Sequence, residues 1–423
     1  MMLAQPVSLL ALIRAIGAGE TTASRELAAF AVRAAEIEPV LGAFAAADWP
    51  RAIELAAPMA GLPLRGLPVG MKDIFDTSFL PTTYGSPIYA DRRPTSDAAI
   101  VSLLAGVGAT MPVKTVTTEF AFFEPARTGN PWMLERSPGG SSSGSAAAVA
   151  AGLLPAATGT QTVGSTVRPA SFCGIVGFKP TFGLLPTQGI KVAAESLDTV
   201  GLFTAGVDDM RFLFAVLCGQ EPRLQHPETA ALRIGVLRTP WDGEAQPAAR
   251  MALETAISRL GQAGVRLTDV ALPDALAAAD AIQPIVLGFD AARALAQEYR
   301  EHRSALSPRL AGFLDEAVKI TPDADREARA VRAQASEALP ALFADFDALL
   351  TFASADVAPP DRSFTGSPVF NRLWTLLGVP CISVPGLLAN DLPIGVQLVG
   401  ALNRDDHLLA TAAVVADLLA NAR

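Results

Sequence analysis
Apolar residues recur at helical spacing early in the chain. Leu27, Phe30, Ala31 and Ala34 share one face, and the pattern predicts a helix that Pro39 ends. The texture then changes. Across residues 62–75, Gly and Pro punctuate short apolar runs, which predicts strand and loop. Residues 98–107 read as a helix closed by Gly106 and Gly108, and 109–113 as a buried strand behind it. Residues 146–152 read as a small-residue helix that lets its neighbours pack closely. Further on, 232–237 and 265–272 read as strands. Between them Pro247 opens a helix carrying Leu253, Ile257 and Leu260. Residues 347–352, 381–384 and 395–399 read as strands, followed by a final helix.

This alternation predicts one large α/β domain, a mixed open sheet flanked by helices. No internal repeat is present. The stretch 274–340 is rich in helix-forming residues and alanine and poor in chemistry. It is expected to form a peripheral lobe beside a core made of about 60–215 and 345–423.

Composition narrows the function. The chain has 423 residues, 50% hydrophobic and 18% charged, which excludes a disordered chain. The net charge of −9 argues against nucleic-acid binding by counterion release. Cys173, Cys218 and Cys381 form no CxxC pair and no ligand cluster. No disulfide framework, metal site or cofactor is expected, and a reducing, cytoplasmic setting is. The apolar run 9–13 is too short for a signal core and precedes Arg14. The uncharged stretch 137–167 has Gly, Ser, Thr and Pro at both ends, so no membrane span is expected.

The chemistry concentrates in two tracts. Pro138-Gly139-Gly140-Ser141-Ser142-Ser143-Gly144-Ser145 runs straight into an apolar helix, unlike a linker. Gly159-Thr160-Gln161-Thr162-Val163-Gly164-Ser165 follows, and consecutive N–H groups there suit a concave anion site. The first tract also contains G-x-S-x-G centred on Ser142, the pattern of an α/β-hydrolase nucleophile elbow. That option needs a histidine base. Of His226, His302 and His407, only His407, behind Asp405 and Asp406, suits the role. The other route to an activated serine is a desolvated lysine. Lys72 fits, with apolar residues on both sides, although it also stands next to Asp73 as an ordinary ion-pair partner would.

These tracts, with Gly66–Asp73, Leu80–Ser86, Gly174, Gly177–Thr181, Leu197–Gly201, Gly378–Pro385 and Leu392–Gly400, resemble the amidase signature family of serine hydrolases over nearly the whole chain. The resemblance implies that family's fold and its Ser–cis-Ser–Lys triad. Carried over residue by residue, the lysine is Lys72, the bridging serine Ser141 and the nucleophile Ser165. The implied oxyanion hole is the N–H groups of Thr162, Val163, Gly164 and Ser165. Gly140 and Ser142 would support the loop, with a cis Gly140–Ser141 peptide.

The chain departs from the family pattern at several places. Gln161 stands for the usual acid. The arginine normally two residues after the nucleophile comes third, as Arg168. Val163 and Ser143 replace common glycines, and Leu202–Ala205 replaces a stretch that often carries an arginine. The first two changes are coupled in this reading, and Arg168 is expected to pair with another carboxylate. The implied function is an amidase that cleaves a small or medium carboxamide through an acyl-enzyme. The alternatives are the glutaminase subunit of a tRNA-dependent amidotransferase and a non-catalytic binding protein on the same fold. Assembly into a homo-oligomer stays open. Phe122, Phe123, Trp132, Trp374, Tyr84 and Asn371 are candidates to line the pocket. Few charges lie near the triad in sequence, which points to a neutral or apolar acyl group.

Overall fold
A computed structural model of the chain describes residues 3–420. Its centre is one eleven-stranded sheet. In chain order the strands are β1 (Phe44–Ala47), β2 (Val69–Lys72), β3 (Val113–Thr115), β4 (Ala156–Gln161), β5 (Val176–Lys179), β6 (Thr199–Thr204), β7 (Arg233–Arg238), β8 (Arg266–Ala271), β9 (Ala348–Phe352), β10 (Cys381–Ala389) and β11 (Leu392–Val399). Their spatial order is β1-β3-β2-β4-β6-β5-β10-β11-β9-β7-β8. Pairing is parallel for β3–β2–β4 and β9–β7–β8, and antiparallel from β4 across to β9. This is the mixed sheet expected from the sequence. Segments far apart in the chain, such as β5 and β10, meet at its middle.

Close packing needs small residues at the centre. Helix Ser143–Ala150 is buried along its whole length. A Cβ on Gly144 would stand 2.3 Å from the Ala43 carbonyl oxygen and 2.4 Å from the Val116 nitrogen. Only glycine lets this helix rest on that backbone. The last residue of the G-x-S-x-G match therefore has a packing reason.

Three expectations are corrected. The helix over Leu27 continues through Pro39 to Leu41 and stops at Gly42, whose φ is 65°. The Glu38 carboxylate then accepts from the N–H groups of Ala43 and Phe44, so the exit is capped beyond the proline. The strand expected at 109–113 lies later, at Val113–Thr115, and only Thr110 forms a bridge, to Pro68. The strand at 381–384 runs on to Ala389. Its register shifts between Val384 and Leu387, where Pro385 and Gly386 interrupt it, and Asn390 and Asp391 with positive φ turn it into β11.

The stretch 274–340 is helical, as expected, in Asp274–Ala294, Ala296–His302, Pro308–Ala317 and Pro322–Ser336. Among the described residues Asp274–Ala294 is the one helix long and apolar enough to cross a membrane. Here it packs against its neighbours, and Arg372 ties it to the 372–376 helix through Asp280 at 2.8 Å.

Candidate active site
Lys72 ends β2, flanked by β3 and β4, and is fully buried. Its Nζ lies 2.8 Å from Ser141 Oγ and 2.7 Å from Thr160 Oγ1. Burial pulls its pKa down to about 7, and the distant pull of Asp198 acts the other way. Thr158, Thr160 and Thr162 alternate along β4 and its exit, so they share one face. Thr158 Oγ1 accepts from the Lys72 N–H, Thr160 accepts from its ammonium, and Thr162 donates to Asp198. That two-residue spacing was visible in the sequence. What it faces was not.

Asp73 does not pair with Lys72. It pairs with a second buried lysine, Lys114, at 3.4 Å. Met71 stands opposite Lys114 in the β2–β3 ladder, so Lys114 and Lys72 leave the sheet on opposite faces. Lys114 is further tied to Thr82 Oγ1 at 2.6 Å and to the Phe75 carbonyl.

The Gly140–Ser141 peptide is cis. Ser142 is buried, and its hydroxyl donates to the Thr160 carbonyl at 3.3 Å, tying the loop to β4. His407 sits on the C-terminal helix Asp405–Ala420 and pairs with Asp347 at 3.0 Å. An elbow built on Ser142 with His407 as base is therefore ruled out, because the serine is sealed and the histidine is engaged elsewhere.

Ser165 follows β4 and lines a cavity of about 210 Å³ together with Thr162, Val163 and Arg168. Among the described residues its hydroxyl has no hydrogen-bond partner, so the structure brings Lys72 and Ser141 into contact and leaves Ser165 unlinked to them. The N–H groups of Thr162, Val163, Gly164 and Ser165 likewise donate to no acceptor among the described residues. Four unengaged donors in a row can receive an anionic oxygen. Gly164 is held there by contact, since a Cβ would lie 2.6 Å from Asn371 Oδ1.

Gln161 explains how the segment is anchored without an acid. Its side-chain oxygen accepts from the N–H groups of Thr166 (2.9 Å) and Val167 (3.0 Å), which open helix Val167–Cys173. Its amide donates to Thr375 Oγ1 at 3.0 Å. A neutral amide thus spans the Ser165 turn and caps the next helix.

Arg168 overturns two expectations. Among the described residues it pairs with no carboxylate. It is buried, Nη2 donates to the Gly140 carbonyl at 2.6 Å, and Nε has no partner. Desolvation alone lowers its pKa to about 10. The cavity is also not lined by apolar groups alone, because Arg168 and Arg309 both border it.

Of the proposed lining residues, Phe122 and Phe123 are in the wall. Trp132 is not: its indole donates to the Cys173 carbonyl at 3.0 Å. Trp374 is core. Tyr84 is buried and donates to Asp76 at 2.9 Å. Asn371 packs behind Gly164 and donates to the Ala353 carbonyl at 3.1 Å. The sequence reading missed Leu287, Arg309, Phe364, Thr365 and Pro368. They come from distant segments without a motif, so no local signal marks them.

The Amidase family model matches residues 25–409. A glutamyl-tRNA(Gln) amidotransferase subunit from Picosynechococcus sp. is 33% identical over 405 residues, covering 83% of this chain and 84% of that protein. Among solved structures, one describing a vestigial protein complex and the origins of an s-triazine catabolic enzyme has a TM-score of 0.89 at 26% identity. It covers 97% of this chain and 98% of that one. The corresponding glutamyl-tRNA(Gln) amidotransferase subunit from Thermotoga maritima has a TM-score of 0.76 at 26% identity, covering 92% and 90%.

Proposed function
The chain belongs to the amidase family and is an enzyme acting on C–N amide bonds, and from that premise we propose that it hydrolyses a small or medium carboxamide through Lys72, Ser141 and Ser165. In this reading Ser165 Oγ attacks the amide carbon. Ser141 takes the Ser165 proton and passes its own to neutral Lys72. The N–H groups of 162–165 hold the oxyanion. The C–N bond then breaks, and Ser141 returns a proton to the leaving nitrogen. Water cleaves the acyl-enzyme to a carboxylate. Gly140 and Ser142 hold the loop in place. The catalytic core is about 60–215 and 345–423, with 274–340 peripheral apart from Leu287 and Arg309.

The observation that carries this reading is the 2.8 Å contact between Ser141 and a lysine that burial brings to about neutral pKa. Lys72 and Ser141 do not line the cavity that Ser165 lines, and the residues that do include no histidine, carboxylate or lysine to act as a base in their place. Three free cysteines suit a reducing, cytoplasmic setting. The test is ammonia or amine release by the purified protein from a panel of aliphatic, aromatic, ureido and glutamine-like amides. Ser165→Ala is the control. Turnover lost in the variant supports the reading. Failure of a serine-directed covalent probe to label Ser165 sinks it.

A second reading has its own support. The glutamyl-tRNA(Gln) amidotransferase relatives reach 30–34% identity over most of the chain. On that reading the protein is a glutaminase component that works inside a complex, and the sequence relatives back it more directly than they back a stand-alone amidase. The two share the same site chemistry. Low glutaminase activity alone, raised many-fold by partner subunits, would decide for the second.

A further inference from the structure
Arg168 is a charge buried beside the proposed nucleophile with nothing among the described residues to neutralise it. No acidic side chain offsets its desolvation. Its Nη2 reaches the Gly140 carbonyl at 2.6 Å and Thr365 Oγ1 at 3.5 Å, while Nε is buried without a partner and Nη1 makes no hydrogen bond to a described residue. A buried, unpaired guanidinium is strongly unfavourable unless an anion meets it. The fork of a guanidinium matches a carboxylate geometrically.

The surroundings hold this side chain in place. Gly366, at φ 90°, passes over it: a Cβ there would lie 3.0 Å from Arg168 Cδ and 2.6 Å from the Phe172 ring. Thr365 and Gly366 both line the cavity. The Arg168 N–H donates to the Gly164 carbonyl at 3.1 Å, so Ser165 lies within the turn that this bond closes, just ahead of helix Val167–Cys173. The guanidinium also contacts the peptide that leads into Ser141. At the rim Arg309, half exposed, adds positive potential, partly offset by Glu124 at 3.9 Å. The remaining wall is largely apolar, from Phe122, Phe123, Leu287 and Phe364.

We propose that Arg168 is the specificity-determining residue of this site and binds a second carboxylate on the acyl part of the substrate, which is the monoamide of a short dicarboxylic acid. This rests on the amide-hydrolase reading above. Ser165 and Arg168 line the same cavity of about 210 Å³, which leaves room for only a few bonds between the carboxylate and the scissile carbonyl. In this proposal the scissile group is a primary carboxamide, whose leaving group is ammonia, so the second carboxylate sits on the acyl side. The products are then ammonia and a dicarboxylate.

The test compares kcat/KM of the full-length enzyme for monoamides of three- to five-carbon dicarboxylic acids with that for their neutral methyl esters at the free carboxyl. N-acetylglycine amide and N-acetylglycine report neutral and amine-side charge. A preference of 100-fold or more for one acyl-side carboxylate is expected, and that ratio should fall at least 100-fold in Arg168→Gln. Equal rates on charged and neutral amides, preference for amine-side charge, or an unchanged ratio in the variant would overturn the proposal. A second measurement needs no variant. Short dicarboxylates should slow covalent labelling of Ser165 in the wild-type enzyme, while the corresponding diamides should not. Equal protection by both overturns it. If Ser165 is labelled and neutral amides are hydrolysed without charge preference, the Arg168 proposal alone fails. If Ser165 is unlabelled and no amide turns over, the hydrolase reading itself fails.

Discussion
Lys72 Nζ lies 2.8 Å from Ser141 Oγ, with Thr160 Oγ1 at 2.7 Å on another side. A neutral lysine has two N–H groups and one lone pair. Thr160 takes one N–H, which leaves the lone pair free to accept the Ser141 proton. With a pKa near 7 the base is competent only above that value. The pH profile of kcat/KM should therefore rise through about pH 7 and level off above it. A profile flat from about pH 5.5 to 8.5 on a substrate without its own ionisation would contradict the lysine's role.

The same burial predicts a stability effect. The folded pKa of Lys72 lies below its unfolded value, so the unfolded chain holds more protons between about pH 7 and 10.5. Stability tied to this group is lowest below pH 7 and rises as pH climbs through that window. Lys72→Met, which removes the ionisation, should be more stable than wild type at pH 6 by on the order of a few kcal/mol. The advantage should shrink towards pH 10. Urea midpoints of both proteins at the two pH values check it, and a constant difference would refute the assignment.

Ser165→Ala should reduce turnover by at least about 10³-fold, because the attacking oxygen is gone while the donors of 162–165 remain. Its hydroxyl makes no hydrogen bond to another described residue, so the melting temperature should stay within about 2 °C of wild type. Residual activity near the wild-type level would move the nucleophile elsewhere.

Gln161 joins two structures through one amide, accepting from Thr166 and Val167 and donating to Thr375. Gln161→Ala leaves two helix-opening N–H groups without a partner. The expected loss is about 1–3 kcal/mol in chemical denaturation. kcat should fall as well, since Ser165 lies within the span that Gln161 closes. Loss of activity without loss of stability would assign the residue a different task.

Gly144 touches backbone on two sides, whereas a Cβ on Gly261 would find its nearest neighbour at 3.8 Å. Gly144→Ala should therefore destabilise by more than about 3 kcal/mol or prevent folding, since backbone cannot step aside as a side chain can. Gly261→Ala, in a helix, should be neutral or slightly stabilising. Thermal unfolding of the pair is decisive: similar melting temperatures would show that the 143–150 helix does not need this close approach.

Much of the fold was legible from local pattern. The strands at 232–237, 265–272 and 347–352 and the helix opened by Pro247 fall within a residue or so of their observed bounds, because each has a strong period and clear punctuation. The errors came at Pro39, 109–113 and Pro385, where a cap, a bridge and a bulge outweighed the local signal. Lys72 stood out by its apolar neighbours and the 162–165 turn by its Gly/Thr/Ser composition, whereas Ser141 was singled out only by the resemblance to the amidase signature family. The tertiary structure decided everything that depends on who meets whom. It alone pairs Asp73 with Lys114 instead of Lys72, seals Ser142, and gives Arg168 a backbone carbonyl where a carboxylate was expected. It alone brings Leu287, Arg309 and Phe364 to one cavity. The reason is physical: periodicity and punctuation report on backbone conformation over a few residues, whereas desolvation and hydrogen bonding are set by neighbours from remote parts of the chain. The charge pattern next to Ser165 in sequence was therefore a poor guide to the charge facing it in space.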